Sequence, residues 1–103
     1  MGRSKKVRRS RRQPAAIPIR VFGTTLKGRD FSEDCVCTKV SRYGAQVRMQ
    51  HLLVPDDIVR ILHLKTKKEA EFRVVAQIDD PPDKPYADWG VESVDSEANI
   101  WRA

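Results

Sequence analysis

The sequence predicts an all-β domain in which six short antiparallel strands close into a β-barrel. Two observations carry that reading: apolar and polar residues alternate with a period of two in successive short segments, and Gly, Pro and Asp punctuate the chain between them. A third bounds it. At 103 residues, with 40% hydrophobic and 33% charged side chains, the chain holds one modest core and is too short for two ordinary domains. Closure suits six strands joined mainly by tight turns, because it removes exposed edges.

The first strand is read at Ile17, Ile19 and Val21, which alternate with Pro18, Arg20 and Phe22. Pro18 has no amide hydrogen for a ladder and is expected at a strand start or edge. Thr24 to Asp30, with Gly28, reads as a turn, and a second strand follows from Phe31 to Thr38. After Gly44, the third strand sets Ala45, Val47 and Met49 against Gln46, Arg48 and Gln50. Leu52 to Asp57 is a connection around Pro55 into a fourth strand, Ile58 to Leu64, where apolar residues occupy both faces. Lys65 to Lys68 forms a hairpin turn. Beyond it Ala70, Phe72, Val74, Ala76 and Ile78 oppose Glu69, Glu71, Arg73 and Gln77, a strand with one dry and one wet face. The run from Asp79 to Pro85 holds three prolines and cannot continue a ladder, so it is a loop. A sixth strand, Trp89 to Val94, precedes Ser96 and Glu97, which can start a short C-terminal helix or tail with Ile100 and Trp101 as a plug.

The net charge of +6 is concentrated. Residues 1–13 carry seven Lys or Arg and no acid, whereas residues 14–103 sum to −1. The chain therefore divides into a basic arm, 1–13, and a barrel domain, 14–103. Like charges with little apolar surface to bury are expected to stay disordered until an anion orders them. A solvated tail, a polybasic membrane-surface anchor and a phosphate-capturing arm all fit this composition; guanidinium forks, which match phosphate oxygens bidentately, favour the last. No apolar stretch reaches the roughly 18 residues of a membrane span, and no signal-peptide pattern follows the arm. A cytoplasmic protein is expected.

Cys35 and Cys37 stand two apart in a strand and read as reduced thiols packed as small hydrophobes. Together with His51 and His63 they lack zinc-ligand spacing. Asp56–Asp57 and Asp79–Asp80 fall in turns, where Asp commonly bonds its own backbone. With no phosphate loop, nucleophile elbow or HExxH, neither an enzyme nor a cofactor is expected.

Arg8 and Arg12 form the arm's single R-x-x-x-R register, and Pro18 follows six residues later in Ile17-Pro18-Ile19-Arg20-Val21. Lys39-Val40-Ser41-Arg42-Tyr43-Gly44 approximates Asp/Asn-x-Ser-x-x-Gly, and Gly90-Val91-Glu92 lies near the end. In this order the segments resemble the PilZ domain family, bacterial split barrels that bind the second messenger cyclic di-GMP. The resemblance implies a receptor module with Arg8, Arg12, Lys39, Ser41 and Gly44 at the ligand. The arginines would neutralise phosphate and stack on guanine, Ser41 would donate a hydrogen bond, and Gly44 would permit close approach or a positive φ. Lys39 departs from the family pattern: its ammonium has three donors and no acceptor. Two rival readings stand beside the receptor. One is a degenerate PilZ domain that docks a downstream protein without nucleotide. The other is an RNA- or DNA-binding barrel, disfavoured because only seven aromatics exist and most fall at expected core positions.

Overall fold

The computed structural model describes residues 13–25, 27–79, 83–95 and 99–101. Six strands follow in chain order: β1 (Gln13–Thr24), β2 (Asp30–Val40), β3 (Gly44–Met49), β4 (Ile58–His63), β5 (Glu69–Asp79) and β6 (Ala87–Ser93). They close in the order β1-β2-β3-β6-β5-β4, every neighbour antiparallel. The barrel is thus two three-stranded meanders joined along two seams. The β3–β6 seam runs from Gly44 opposite Glu92 to Met49 opposite Ala87, and the shorter β1–β4 seam from Ile19 opposite His63 to Phe22 opposite Arg60.

Period-two alternation turns one set of side chains inward on every strand. Ile19 and Val21, Cys37, Val47 and Met49, Val59 and Ile61, Phe72 and Val74, and Trp89 and Val91 fill the interior, each at most 4% exposed. β4 alternates after all: Val59, Ile61 and His63 face in, and the buried His63 hides the pattern because it reads as polar. Its Nδ1 accepts from the backbone N–H groups of Lys65 and Thr66 at 3.2 and 3.3 Å, so the ring organises the β4–β5 turn. Ile100 joins the core and Trp101 packs on Phe72, ring centroids 5.8 Å apart. The expected plug is present. There is no helix among the described residues, and residues 96–98, where a helix start was expected, lie outside them.

One expectation is met and one needs correcting. Pro18 lies inside β1, opposite Val36 and just before the β1–β4 pairing begins at Ile19, so of the two positions expected it takes the edge and not the strand start. Its carbonyl accepts from Leu64 N–H at 3.1 Å. A strand residue's N–H and C=O point the same way, so the missing hydrogen faces the region beyond the end of β4 and costs no bond to β2. In β5 the dry face changes side: the register shifts between Val74 and Ala76, leaving Val75 half exposed and turning Ala76 and Ile78 outward. One extra residue in a ladder exchanges the faces beyond it. Ile78 then covers the outer surface of Gly90, where an added Cβ would stand 3.1 Å from its Cδ1.

Removing the plug's buried residue, Ile100→Ala, is expected to cost about 2–5 kcal/mol, the usual range for a large-to-small core substitution. Urea denaturation checks this; a loss well under 1 kcal/mol would show that the C-terminal segment adds nothing to the core.

Candidate functional site

Strand ends build the site from adjacent backbones. β1 and β2 extend past β4 as a ribbon whose register places Gln13 opposite Val40 and Pro14 opposite Lys39. Beyond Val40 the chain turns through Ser41–Tyr43 into β3. Ser41 N–H donates to Gly44 O at 2.9 Å, Ser41 Oγ lies 3.3 Å from the same carbonyl, and Gly44 N–H donates to Ser41 Oγ at 3.2 Å. The hydroxyl hydrogen is therefore directed into the turn, and one acceptor lone pair remains for anything outside. Ser93 N–H donates to Tyr43 O at 2.7 Å, tying the turn to the end of β6.

Gly44 answers to close approach and not to positive φ. A Cβ there would stand 2.5 Å from the carbonyl oxygen of Val91, a backbone atom that has no rotamer with which to retreat. Lys39 is exposed on the outer face opposite Gln46, and a register shift at Thr38 between Cys37 and Lys39 turns it outward. Arg42 is exposed with its guanidinium 5.4 Å from the Tyr43 ring centroid. The structure thus brings Lys39, Ser41 and Gly44 together. Arg8 and Arg12 lie outside the described residues.

Sequence reasoning missed two features of the outer face. Asp88, 3% exposed, receives a bidentate fork from Arg48 at 2.9 and 3.1 Å and a contact from Gln46 Nε2 at 3.4 Å. Arg48 also lies 4.7 Å from the Tyr86 ring centroid. An acid inside the otherwise apolar run Ala87–Val91 was the available signal. The second is Glu92, which pairs with Gly44 across the seam and forms an ion pair with Arg73. Arg73 in turn donates to Asp56 at 3.1 Å.

Other candidate chemistry is absorbed locally. Burial pushes the thiols of Cys35 and Cys37 up to about 12, so both are protonated near neutral pH and poor nucleophiles. His51 Nδ1 sits 2.6 Å from Glu33 Oε1, and the ring stacks on Phe31 at 4.3 Å. Among the described residues no three His, Cys, Asp or Glu side chains could together hold a metal ion, and no helix is long and apolar enough to cross a membrane. Phe31, Phe72, Trp89 and Trp101 belong to or pack on the core, while Phe22, Tyr43 and Tyr86 each carry an arginine over the ring.

The closed six-stranded barrel has a PilZ-like fold, as its likeness to two solved structures shows. The Bacillus subtilis inhibitor of motility, MotI/DgrA, superposes with a TM-score of 0.67 at 13% identity over 88% of this chain. The K. pneumonia MrkH–c-di-GMP complex superposes with a TM-score of 0.62, also at 13% identity, over 86%. The matches cover 44% and 45% of those two chains, so this chain spans less than half their length. No protein-family model and no curated protein matches the sequence.

Gly44→Ala is expected to destabilise the fold by about 1–3 kcal/mol, as overpacking against fixed backbone does. The urea midpoint should fall, and the Ser93 amide should exchange faster with solvent. An unchanged midpoint would mean that β6 can move aside and that the approach is not a constraint.

Proposed function

We propose that the chain is a cyclic di-GMP receptor module, a binding protein and not an enzyme, whose basic arm closes on ligand held at the β2–β3 turn. The observation that carries this reading is the β1–β2 register. Gln13 lies beside Val40 and Pro14 beside Lys39, so the first described residues of β1 stand next to the turn that holds Ser41 and Gly44. Arg12 is covalently joined to Gln13, and Arg8 is four residues further back. Five extended residues reach about 17 Å, enough to bring both guanidiniums over the turn. The likeness of the fold to that of MrkH, solved with c-di-GMP, supports the same reading.

The chemistry follows from donors and charges. Cyclic di-GMP offers two phosphodiesters and the N7 and O6 acceptors of its guanines, all complementary to arginine forks and to the Lys39 ammonium. Ser41 accepts one hydrogen bond through its remaining lone pair, and Gly44 keeps the floor free of a side chain. A second reading, a nucleotide-independent protein-docking barrel, is favoured by two observations: Lys39 offers no acceptor, and the Ser41 hydroxyl is closed on Gly44.

Calorimetric titration with cyclic di-GMP decides between them, with GTP and a short single-stranded RNA as controls. Saturable binding of the cyclic dinucleotide alone is expected. Silence towards all three supports protein docking, and steeply salt-dependent RNA binding supports a nucleic-acid role.

Arg12→Ala is expected to weaken cyclic di-GMP binding by roughly 10- to 150-fold through lost charge-assisted hydrogen bonds. Lys5→Ala, more distant along the arm, should cost only about threefold or less, as a screened charge does. Equal small losses would reduce the arm to a diffuse cation. Lys39→Asp should weaken binding by about tenfold by repelling a phosphate. Tighter binding would show Lys39 to be a missing guanine acceptor, and an unchanged affinity would remove residue 39 from the site.

A further inference from the structure

Guanine presents two kinds of edge, and the described turn answers one of them fully and the other only through the single remaining lone pair of Ser41. Lys39 and Arg42 are donors, and they suit phosphate, N7 and O6. The Watson–Crick edge of guanine, with N1–H and the N2 amino group, needs an acceptor, and a carboxylate can accept both donors at once. Resting on the receptor reading above, we infer that Glu92 supplies that acceptor and sets the preference for guanine.

Three observations place Glu92 for this task. It is the cross-strand partner of Gly44, which has no side chain to cover it. It faces out of the barrel, because its neighbour Val91 is 3% exposed and points in, and its own side chain is 43% exposed. Lys39 is opposite Gln46 and Gln46 is opposite Gly90, so Lys39 and Glu92 stand on the same outer face, two strands apart and two residues along. Strand spacing and rise put their Cα atoms roughly 12 Å apart, a span that lets one planar base lie against the turn between a cation and a carboxylate.

The carboxylate is also held in position. Arg73 pairs with Glu92 across β5 and β6 and is itself bonded to Asp56 in the β3–β4 connection. Part of the ordering cost of a long side chain is thereby met before any ligand arrives. Asp88, the other outward carboxylate of β6 among residues with described side chains, cannot substitute: it is buried and engaged by Arg48 and Gln46.

The test is calorimetry on the full chain with cyclic di-GMP and cyclic di-AMP, comparing wild type with Glu92→Gln. Adenine lacks the N1–H and N2 amino donors, so it serves as an internal control. The substitution should weaken cyclic di-GMP roughly 10- to 100-fold, the effect of losing hydrogen bonds to a charged group, and leave cyclic di-AMP within about threefold. Equal weakening of both nucleotides would assign Glu92 a purely structural role, and an unchanged preference would remove it from the site; either result overturns the inference and leaves the receptor reading standing. A folded wild-type protein that takes up no cyclic di-GMP would overturn the receptor reading itself, and this inference with it.

Discussion

The β3–β6 seam is the constraint on which the barrel depends. Hairpin turns can build each meander locally, but the seam joins residues 44–49 to residues 87–92, some 38 to 48 positions apart. Closing so long a loop has an entropic cost, and it is recovered only through contacts made along the whole seam. Those contacts lie on both faces. Inside, Val47 meets Trp89 and Met49 meets Ala87; outside, Arg48 forks Asp88. The buried carboxylate would be costly alone, yet two arginine donors and Gln46 satisfy it. The pair also fixes the register, since a one-residue slip would turn Asp88 into the core and Trp89 into water.

The site lies at one end of this seam, and its geometry is a by-product of closure. β3 can approach β6 closely enough to finish the ladder only because residue 44 has no Cβ. That closeness puts Tyr43 O on Ser93 N–H and Glu92 beside the turn. Gly44, singled out in the sequence as a ligand-facing residue, is therefore needed first by the fold. The two roles are compatible: the absence of a side chain admits the β6 backbone on one side and leaves the outer surface flat.

Much of the fold was legible because alternation is a local property. All six strands could be placed, β1, β3 and β5 from period-two patterns, and the alternation of β4 was obscured because Ile58 and Leu62 put apolar residues on its outer face while the buried His63, which bonds the turn that follows, reads as polar. What remained hidden depends on register. The bulge in β5 that turns Ala76 and Ile78 outward leaves no mark in composition, and the first residues of β1, Pro14-Ala15-Ala16, carry no alternation at all. The site divides in the same way. Lys39, Ser41 and Gly44 are close in sequence and could be read as a motif, whereas Glu92 and Asp88 become neighbours of that face only through the long-range seam.

Where a ligand can bind follows from how the interior is filled. Phe72, Ile19, Met49, Ile61 and Trp89 occupy the barrel's inside, and Ile100 with Trp101 completes the packing near His63 and Phe72. A barrel of this strand number has room for side chains and little else, so recognition is confined to the outer face and the strand ends. On that surface the charges are sorted. Glu92 is held by Arg73 and Asp88 by Arg48, whereas Lys39 and Arg42 stand exposed at the turn beside the first described residues of β1.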